Sequence, residues 1–397
     1  MTDAAAARAG AISPRNRHQS YAARMVRQTF RRWTARLGLA WVLLLAFAAA
    51  FAPLLASSRP LAVRENGVWW SPVWRDFGAN DLAWAVAFIT LVLVVWWPIS
   101  SVRKFTLIVV ATGVAWLAGA LWLSPPQVVI HEQYREQIEA GRFEAVVSAP
   151  IPFSPQDYQR DRGNVALHAP SAVHWFGTEE NGADVLSRMI HASRIALGIG
   201  FVATGIALVL GVIVGGLMGY FSGIADIIGM RLVEIFEAIP TLFLLLAFVA
   251  FFGRDLYIMM VIIGLTSWPG YARYVRAEFL KLREQDYVQA AIAAGLPLPS
   301  ILFRHMLPNG VAPILVAASF GVASAILAEA TLSFLGLGLV DAPSWGQMLN
   351  QAVRSSAFNW WMAVFPGGAI FLTVFAYNLM GDALRDAIDP HLSAAES

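Results

Sequence analysis

The sequence contains no cysteine and little charge. Without cysteine, the chain has neither disulfides nor thiolate chemistry. Only 14% of its 397 residues are charged and 58% are hydrophobic. A soluble protein of this length carries about a quarter charged residues. The composition therefore excludes an ordinary soluble globular protein and indicates a membrane protein.

Lysine is nearly missing too, and several enzyme motifs are absent. Neither Lys104 nor Lys281 follows a glycine, so the chain has no G-x-x-x-x-G-K-[ST] phosphate-binding loop. His131 and Glu132 begin like a zinc-protease helix, but Arg135 stands where the second histidine is needed. No G-x-S-x-G serine motif occurs. We therefore expect no enzyme activity, cofactor or metal site, and any ATP hydrolysis must come from a partner.

Apolar runs of near-spanning length recur along the chain. A bilayer core needs about 20 mostly apolar helical residues. Eight candidate spans are found, at 37–56, 82–99, 105–123, 195–218, 227–252, 256–272, 311–328 and 360–377. This pattern predicts an all-α polytopic membrane protein with about eight transmembrane helices.

The distribution of charge predicts which side of the membrane each loop occupies. Residues 1–36 hold eight arginines and one acidic residue, whereas 124–190 is rich in Asp and Glu. Short basic loops stay cytoplasmic, so we expect both termini and the basic loop 273–309 in the cytoplasm. A cleaved signal peptide is the alternative for the first apolar run. The basic segment before this run is longer than the positively charged start of a normal signal peptide, which favours a span that is retained in the mature protein.

These features divide the chain into seven parts. The predicted parts are a basic cytoplasmic tail (1–36), a first transmembrane helix (37–56), an extracytoplasmic linker with a tryptophan anchor (57–81), a transmembrane helix pair (82–123), an extracytoplasmic segment (124–190), a core (191–389) with the cytoplasmic loop 273–309, and a cytoplasmic tail (390–397). Glycines at 211, 215 and 219 repeat at four-residue spacing, which predicts close helix packing.

The stretch "YVQAAIAAGLPLPSILFRHMLPN" (287–309) predicts two short helices in the basic loop. Tyr287, Ala290, Ala291 and Ala294 fall on one helical face. Gly295 fits a left-handed helix end, and the prolines that follow prevent continuation. A second short helix is expected from 300 to 306, closing at residues 307 and 308. Such a feature is either a knob for a groove in a protein partner or a loop that only joins two spans.

This stretch resembles the cytoplasmic signature loop of ATP-binding-cassette (ABC) importer permeases, E-A-A-x3-G-x9-I-x-L-P. Every interval is kept, and two positions depart, because Gln289 replaces the Glu and His305 the Ile. The ending "RHMLPN" resembles the dipeptide and oligopeptide branch of that family.

Three more stretches resemble the same branch, in consistent order over about residues 170–392. They are "FGTEENGADVLSRMIHASR" (176–194), "EATLSFLGLGLVDAPSWGQML" (329–349) and "GDALRDAIDPHL" (381–392). "RPLAVRENGVWWSPVW" (59–74) resembles the subgroup associated with microcin C uptake, which has six spans. The pair 82–123 is then an addition that, being even in number, preserves the sidedness of everything after it.

The resemblance implies a type I ABC importer permease core (MetI-like) that crosses the inner membrane of a bacterium several times and carries peptides or peptide-like solutes. The implied partners are two ABC ATPase subunits or domains, a second homologous permease, an extracytoplasmic solute-binding protein and membrane lipid, with no nucleic acid. The residues expected to contact the ATPase are Tyr287, Gln289, Ala290, Ala291, Gly295, Arg304, His305, Leu307 and Pro308. The gap between residues 218 and 231 is a second, smaller contact candidate.

Four charged residues are expected at membrane depth: Arg231, Glu234, Glu237 and Glu329. Arg231 and Glu234 are one helical turn apart and can pair. Intramembrane charges are functional candidates by default. Helix pairing near an interface is favoured here over contact with the solute, and nothing in the sequence locates the solute-contacting residues.

Other functions are compatible with a polytopic membrane protein. An ion-coupled secondary transporter would need no ATPase, and a membrane scaffold would move no solute. A fourth possibility keeps the family but reverses the direction of transport. Dependence of uptake on ATP or on an ion gradient separates the ATP-driven importer from the secondary transporter, and vesicle uptake that requires this chain would exclude the scaffold.

Overall fold

Long helices make up most of the chain, whose computed structural model describes residues 28–95, 97, 99–126, 129–163, 165–339 and 342–388. The tails predicted at 1–36 and 390–397 therefore lie largely or wholly outside the described residues. The longer helices are α1 (Trp33–Ala50), α3 (Ala79–Val95), α4 (Ser101–Trp122), α6 (Val185–Phe221), α7 (Gly223–Ala238), α8 (Thr241–Phe252), α9 (Leu256–Arg283), α12 (Leu307–Leu332), α13 (Trp345–Arg354) and α14 (Trp360–Ile388). The shorter ones are α2 (Ala52–Leu55), α5 (Gln133–Glu139), α10 (Asp286–Ala293) and α11 (Leu298–Ser300).

Length and composition identify fewer spans than the predicted eight. Among the described residues, five helices are long and apolar enough to cross a membrane, or six if the bent pair of α7 and α8 counts as one. Helix α3 is shorter, with 17 residues, and the second half of α9 carries four basic residues. The mostly helical membrane fold is confirmed, while the count of eight stays a prediction.

The span predicted at 227–252 is not one helix. It is divided between α7 and α8, which are bent by 81° relative to each other. Pro240 has no backbone N–H and disfavours a helical conformation in the residue before it. Ile239 is accordingly extended, with φ −88° and ψ 122°. The pair is therefore a broken or re-entrant segment.

The second short helix of the basic loop does not end at Pro308 as predicted. It begins at α11, passes through a π-helical turn (Ile301–Met306) and continues as α12. Pro308 cannot donate a backbone hydrogen bond, and in an α-helix its ring would clash with the carbonyl of Arg304. The wider π turn lets the helix continue past this proline. Glu329, predicted at the end of a span, lies inside α12.

Glycines let α6 and α9 approach at backbone distance, as the sequence predicts. A Cβ added to Gly215 would lie 2.3 Å from the carbonyl oxygen of Ala272. At Gly219 it would lie 2.8 Å from the carbonyl oxygen of Arg276. No larger residue fits such a contact, so α6 holds α9 in a fixed position.

Helices α3 and α4 form a hairpin at the side of the bundle. A Cβ added to Gly119, near the end of α4, would lie 2.7 Å from the Cα of Ala79, where α3 begins. The hairpin therefore enters and leaves the bundle at one place. It packs on α1, and the carboxylate of Asp81 pairs with the guanidinium of Arg194 in α6.

A small sheet follows α2, although the fold was predicted all-α. Its strands β1 (Ala62–Glu65), β2 (Val68–Trp70) and β3 (Ala145–Val147) are antiparallel, in the order β2-β1-β3. Asn66 and Gly67 join β1 to β2 with φ of 52° and 76°, the left-handed conformation that a tight hairpin requires. Trp69 and Trp74 are more than half exposed, and their role as a membrane anchor stays a prediction.

A buried ion cluster fastens the segment between α4 and α6. Arg135 donates from Nη2 to Asp157 at 3.1 Å and to Asp161 at 2.7 Å. Asp157 is fully buried and also accepts from the hydroxyl of Ser58 at 2.5 Å. The hydrogen bond from Arg135 lowers the pKa of Asp161. The cluster therefore joins the chain after α2 to the chain before α6.

Candidate functional site

The most distinctive exposed feature is a helical elbow, defined here as residues 286–308, between α9 and α12. Its first arm, α10, ends at Gly295, whose φ is +70°. The N–H of Gly295 bonds the carbonyl of Ile292 at 2.9 Å, and the N–H of Leu296 bonds that of Ala291 at 3.2 Å. This is the Schellman ending, in which glycine tolerates the left-handed conformation. Pro297 then starts the second arm.

Buried apolar side chains fix the elbow to the two neighbouring helices. Val288 and Ala291 of the first arm and Met306 of the second share a cluster with Phe279 of α9 and Ile314 of α12. Val288 and Met306 have no exposed surface. The elbow therefore cannot move without moving α9, α12 or both.

The predicted contact residues are mostly on the outside of the elbow. Exposed are Tyr287, Gln289, Ala290, Gly295, Arg304 and Pro308. His305 and Leu307 are half-buried, and Ala291 is 5% exposed and belongs to the cluster. Ala291 thus lies on the supporting side, away from any partner. The pKa of Tyr287 is raised, because the effect of burial exceeds that of a hydrogen bond with Asn309, which acts in the opposite direction.

Gln289, which departs from the family motif, has an internal partner. Its side-chain amide donates from Nε2 to the carbonyl oxygen of Arg283 at 2.8 Å. That oxygen belongs to the last turn of α9, where carbonyls lack helical partners. A carboxylate has no proton to donate to such a carbonyl. Gln289 therefore connects the first arm of the elbow to the end of α9.

Helix α7 begins beside the elbow and is tied to α9 by polar contacts. Arg283 donates from Nη1 to the hydroxyl of Ser222 at 2.6 Å. Arg276 forms a double hydrogen bond with the carboxylate of Asp226, and its Nη2 lies 2.6 Å from Oδ2. The second predicted contact region, 218–231, is thus joined to the helix that leads into the elbow.

Comparisons with known proteins identify the family. The family described as "Binding-protein-dependent transport system inner membrane component" matches residues 207–394, which include the elbow and all of α7 to α13. The dipeptide transport system permease protein DppC of Alkalihalophilus pseudofirmus is 37% identical over 249 residues, 62% of this chain and 82% of that protein. The chain belongs to this family. It is a permease component of an ABC transporter and not an enzyme.

The permease has further relatives among peptide transporters. The glutathione transport system permease protein GsiD of Pectobacterium atrosepticum is 39% identical over 246 residues, 62% of this chain and 81% of that protein. Among solved structures, the MetNI methionine ABC transporter in inward-facing conformations matches 50% of this chain and 96% of its own, with 20% identity and a TM-score of 0.43. The resemblance to ABC importer permeases that the signature motifs indicate is confirmed.

The four charges expected at membrane depth have partners in the permease. Nη1 of Arg231 lies 2.5 Å from the carboxylate of Glu234, and both side chains are exposed. Glu237 pairs with Arg273, which joins α7 to α9. Glu329 is 2% exposed and accepts from the hydroxyl of Ser333 at 2.5 Å. Their favoured role in helix pairing, rather than solute contact, stays a prediction.

Sequence reasoning missed three apolar residues on the outer surface of the elbow. Ile292, Leu296 and Phe303 are 37%, 38% and 50% exposed. They occupy unspecified positions of the motif, and the signal that could have found them is large apolar side chains on either side of the Gly295 turn. Within the described part of the permease, no group of His, Asp and Glu side chains could hold a metal ion.

Proposed function

We propose that this permease moves peptides or peptide-like solutes into the cell and that its elbow receives the force of ATP hydrolysis from a partner ATPase. A permease of this family works with an ATPase, a partner permease and a binding protein. That this permease carries peptides is supported by relatives named for dipeptide, oligopeptide and glutathione transport. The oligopeptide or microcin C class is the expected solute.

The observation that carries the proposal is the combination of an exposed outer surface and a buried inner one in the elbow. Ile292 and Leu296 offer exposed apolar area on either side of the Gly295 turn, which suits a groove of a protein partner. On the other side, Val288 and Met306 bury their side chains against α9 and α12. Force applied to the outer surface is therefore transferred to two membrane helices.

Charge supports a cytoplasmic position for the elbow. Arg32, before α1, pairs with Asp386 near the end of α14. Lys281 and Arg385 line one cavity, so the ends of α1, α9 and α14 lie together near the elbow. Basic groups concentrate at this end of the bundle, and loops rich in Lys and Arg remain in the cytoplasm. The buried cluster of Arg135 and Asp157 would then lie outside the cell.

Transport requires two arrangements of the helices and a contact that ATP changes. Closure of the paired ATPases would bring the elbow of this permease and that of its partner permease together. Because α9 and α12 are fixed to the elbow, they would turn with it and open the path toward the binding protein. Such a rigid-body shift requires only that the ATP-bound ATPase pair binds one arrangement of the helices more tightly than the other.

Replacing Gly295 with leucine tests the elbow. The left-handed conformation costs a residue with a side chain roughly 1–2 kcal/mol, and the new side chain would project from the surface that faces the ATPase. Nothing lies within 4 Å of an added Cβ at Gly295, so folding should persist. We expect ATP-driven peptide uptake by the reconstituted complex to fall at least tenfold, while ATP hydrolysis and membrane insertion continue.

Gly141 provides the matched control. It has φ +68° and open space around an added Cβ. It ends α5 with the same pair of hydrogen bonds, from its own N–H to Ile138 and from that of Arg142 to Gln137, both 3.0 Å. Gly141→Leu should leave uptake within twofold of the wild type. Equal uptake by both variants would remove the elbow from the coupling mechanism.

The same assay separates the other functions. Uptake that needs ATP and the ATPase partner supports the importer, whereas uptake driven by an ion gradient alone would assign a secondary transporter. Vesicles whose uptake does not depend on this chain would indicate a scaffold. Accumulation on the opposite side of the vesicle membrane would indicate export.

A further inference from the structure

A cavity of about 250 Å³ lies between α6, α9 and α12, about half-way along each helix. Its lining includes the hydroxyl-bearing residues Thr204, Ser267, Tyr271 and Ser324. Neither the elbow nor the charged pairs described above contribute to it. Its position among the helices that the elbow moves makes it a candidate contact site for the solute.

Two glycines create the space. At Gly270 an added Cβ would meet nothing within 4 Å, so the missing side chain leaves part of the cavity open. At Gly321 an added Cβ would lie 1.5 Å from the hydroxyl oxygen of Tyr271, which shows that the ring of Tyr271 lies directly over that glycine. The tyrosine hydroxyl is thereby positioned at the cavity wall.

The hydroxyls that line the cavity differ in their partners. Ser267 donates to the carbonyl of Ile263 at 2.7 Å and Ser324 to that of Phe320 at 3.0 Å. Thr204 and Tyr271 are 6% and 7% exposed, and their hydroxyls face each other. Apart from this mutual contact, neither hydroxyl has a hydrogen-bond partner among the described residues.

Each hydroxyl has one donor and two acceptor positions, more than a single mutual contact uses, and buried polar groups left unsatisfied are costly in apolar surroundings. A lipid chain cannot satisfy them, because it has neither donors nor acceptors. A peptide can, because each of its residues brings an N–H and a carbonyl. The hydroxyls of Thr204 and Tyr271 therefore favour a solute with amide groups over a hydrocarbon chain.

A second cavity, of about 500 Å³, adjoins the first. The two share Tyr274, Ala317 and Phe320, and the second also contains Lys281 and Arg385. Neither cation forms an ion pair with a described residue. Lys281 follows Tyr271 by ten residues in α9, a rise of about 15 Å. A peptide of about four or five extended residues covers this distance.

We propose that the smaller cavity holds one residue of the transported peptide, whose amide bonds to Thr204 and Tyr271 while its C-terminal carboxylate faces Lys281 and Arg385. This inference rests on the proposed function and identifies where the solute is contacted. A short peptide with a free carboxylate is the expected ligand.

Photo-crosslinking tests the site directly. The complete transporter, with its ATPases, partner permease and binding protein, is reconstituted in vesicles and illuminated with the pentapeptide benzoylphenylalanine-Ala-Ala-Ala-Ala. We expect label within residues 263–274 or 317–325, at least fivefold reduced by excess Phe-Ala-Ala-Ala-Ala. Gly270→Leu, which fills the cavity, should reduce the label at least fivefold. Gly205→Leu is the control, because Gly205 has open space around an added Cβ and lies in α6 outside the cavity.

Removal of the two hydroxyls tests the hydrogen bonds. The double variant Tyr271→Phe, Thr204→Val removes both members of the pair and leaves neither unsatisfied, so the melting temperature should stay the same or rise. Labelling efficiency should nevertheless fall severalfold. Lys281→Gln should weaken labelling by the free acid at least threefold and labelling by the C-terminal amide of the same peptide much less.

The outcomes separate the two proposals. Uptake of Phe-Ala-Ala-Ala-Ala by the wild type with labelling that maps elsewhere, or that is insensitive to Gly270→Leu, would overturn the site and leave the peptide importer standing. Labelling of the same segments by a photoreactive phospholipid but not by the peptide would assign the cavity to lipid. A wild-type complex that moves no Phe-Ala-Ala-Ala-Ala would overturn both.

Discussion

The close contact of α6 with α9 leads to a quantitative prediction at Gly215. In Gly215→Ala the new methyl group would lie 2.3 Å from the carbonyl oxygen of Ala272, whereas ordinary contacts begin at 3.4 Å. The helices must therefore separate locally by about 1 Å. Overpacking of this kind typically costs about 1–3 kcal/mol.

Gly205→Ala is the reference variant, since Gly205 is in the same helix and has open space around an added Cβ. Both substitutions gain the same helix propensity, about 0.8–1.0 kcal/mol, so their difference isolates the packing cost. The free energy of unfolding in detergent should thus be about 1–3 kcal/mol lower for Gly215→Ala than for Gly205→Ala. Because α9 leads into the elbow, coupled uptake should decline as well.

The measurement is a denaturant titration of the purified permease in one detergent, followed by tryptophan fluorescence. Equal stability of the two variants would show that α6 and α9 are not in backbone contact. If Gly215→Ala is destabilised but its uptake stays coupled to ATP hydrolysis, the close packing of α6 and α9 is supported. The position of α9 would then not control the elbow.

Two further predictions concern the remainder of the molecule. Because the pKa of Asp161 is lowered in the folded protein, its carboxylate stabilises the fold fully above the unfolded pKa, about 3.9. This stabilisation is lost as the pH falls through the folded pKa. Amide hydrogen exchange at residues 57–61 should therefore rise as the pH is lowered through that range. Arg135→Gln should abolish this pH dependence and lower the free energy of unfolding by about 3–5 kcal/mol, because it leaves Asp157 buried and unpaired. Unchanged hydrogen exchange in this variant would show that the ion cluster does not stabilise the segment. Deletion of residues 82–123 should leave every later helix with the same sidedness. The reason is that Ala79 and Gly119 are neighbours, so the hairpin enters and leaves the bundle at one place. A cysteine placed at Arg283 should be labelled from the same side of the membrane with and without the deletion, and a change of side would contradict this topology.

The sequence predicted the helical class and the Gly295 turn for identifiable physical reasons. Long apolar runs can satisfy their backbone groups in a membrane only as helices or closed barrels, so the class follows from composition. The left-handed φ of Gly295 follows from a helical run that ends at glycine with proline two residues later. Close packing of Gly215 follows from its place in a four-residue repeat.

Other features depend on tertiary structure and were missed or wrong. Pro240 breaks one predicted span, whereas Pro308 only shifts the hydrogen bonding of α12, and local sequence does not separate the two outcomes. The burial of Ala291 depends on how α9 and α12 meet the elbow. The cavity beside Tyr271 combines residues from three helices that span more than a hundred positions of the chain, a juxtaposition that no single-segment pattern contains.

The continuous path from the elbow into α12 has a mechanical consequence. The π turn at 301–306, Pro308 and Pro313 each weaken the helical hydrogen bonding, and all three lie within the first few turns. The remaining length, from Pro313 to Leu332, has no such interruption and extends roughly 29 Å. Bending should therefore concentrate where α12 leaves the elbow, and the distal portion should swing as one stiff rod.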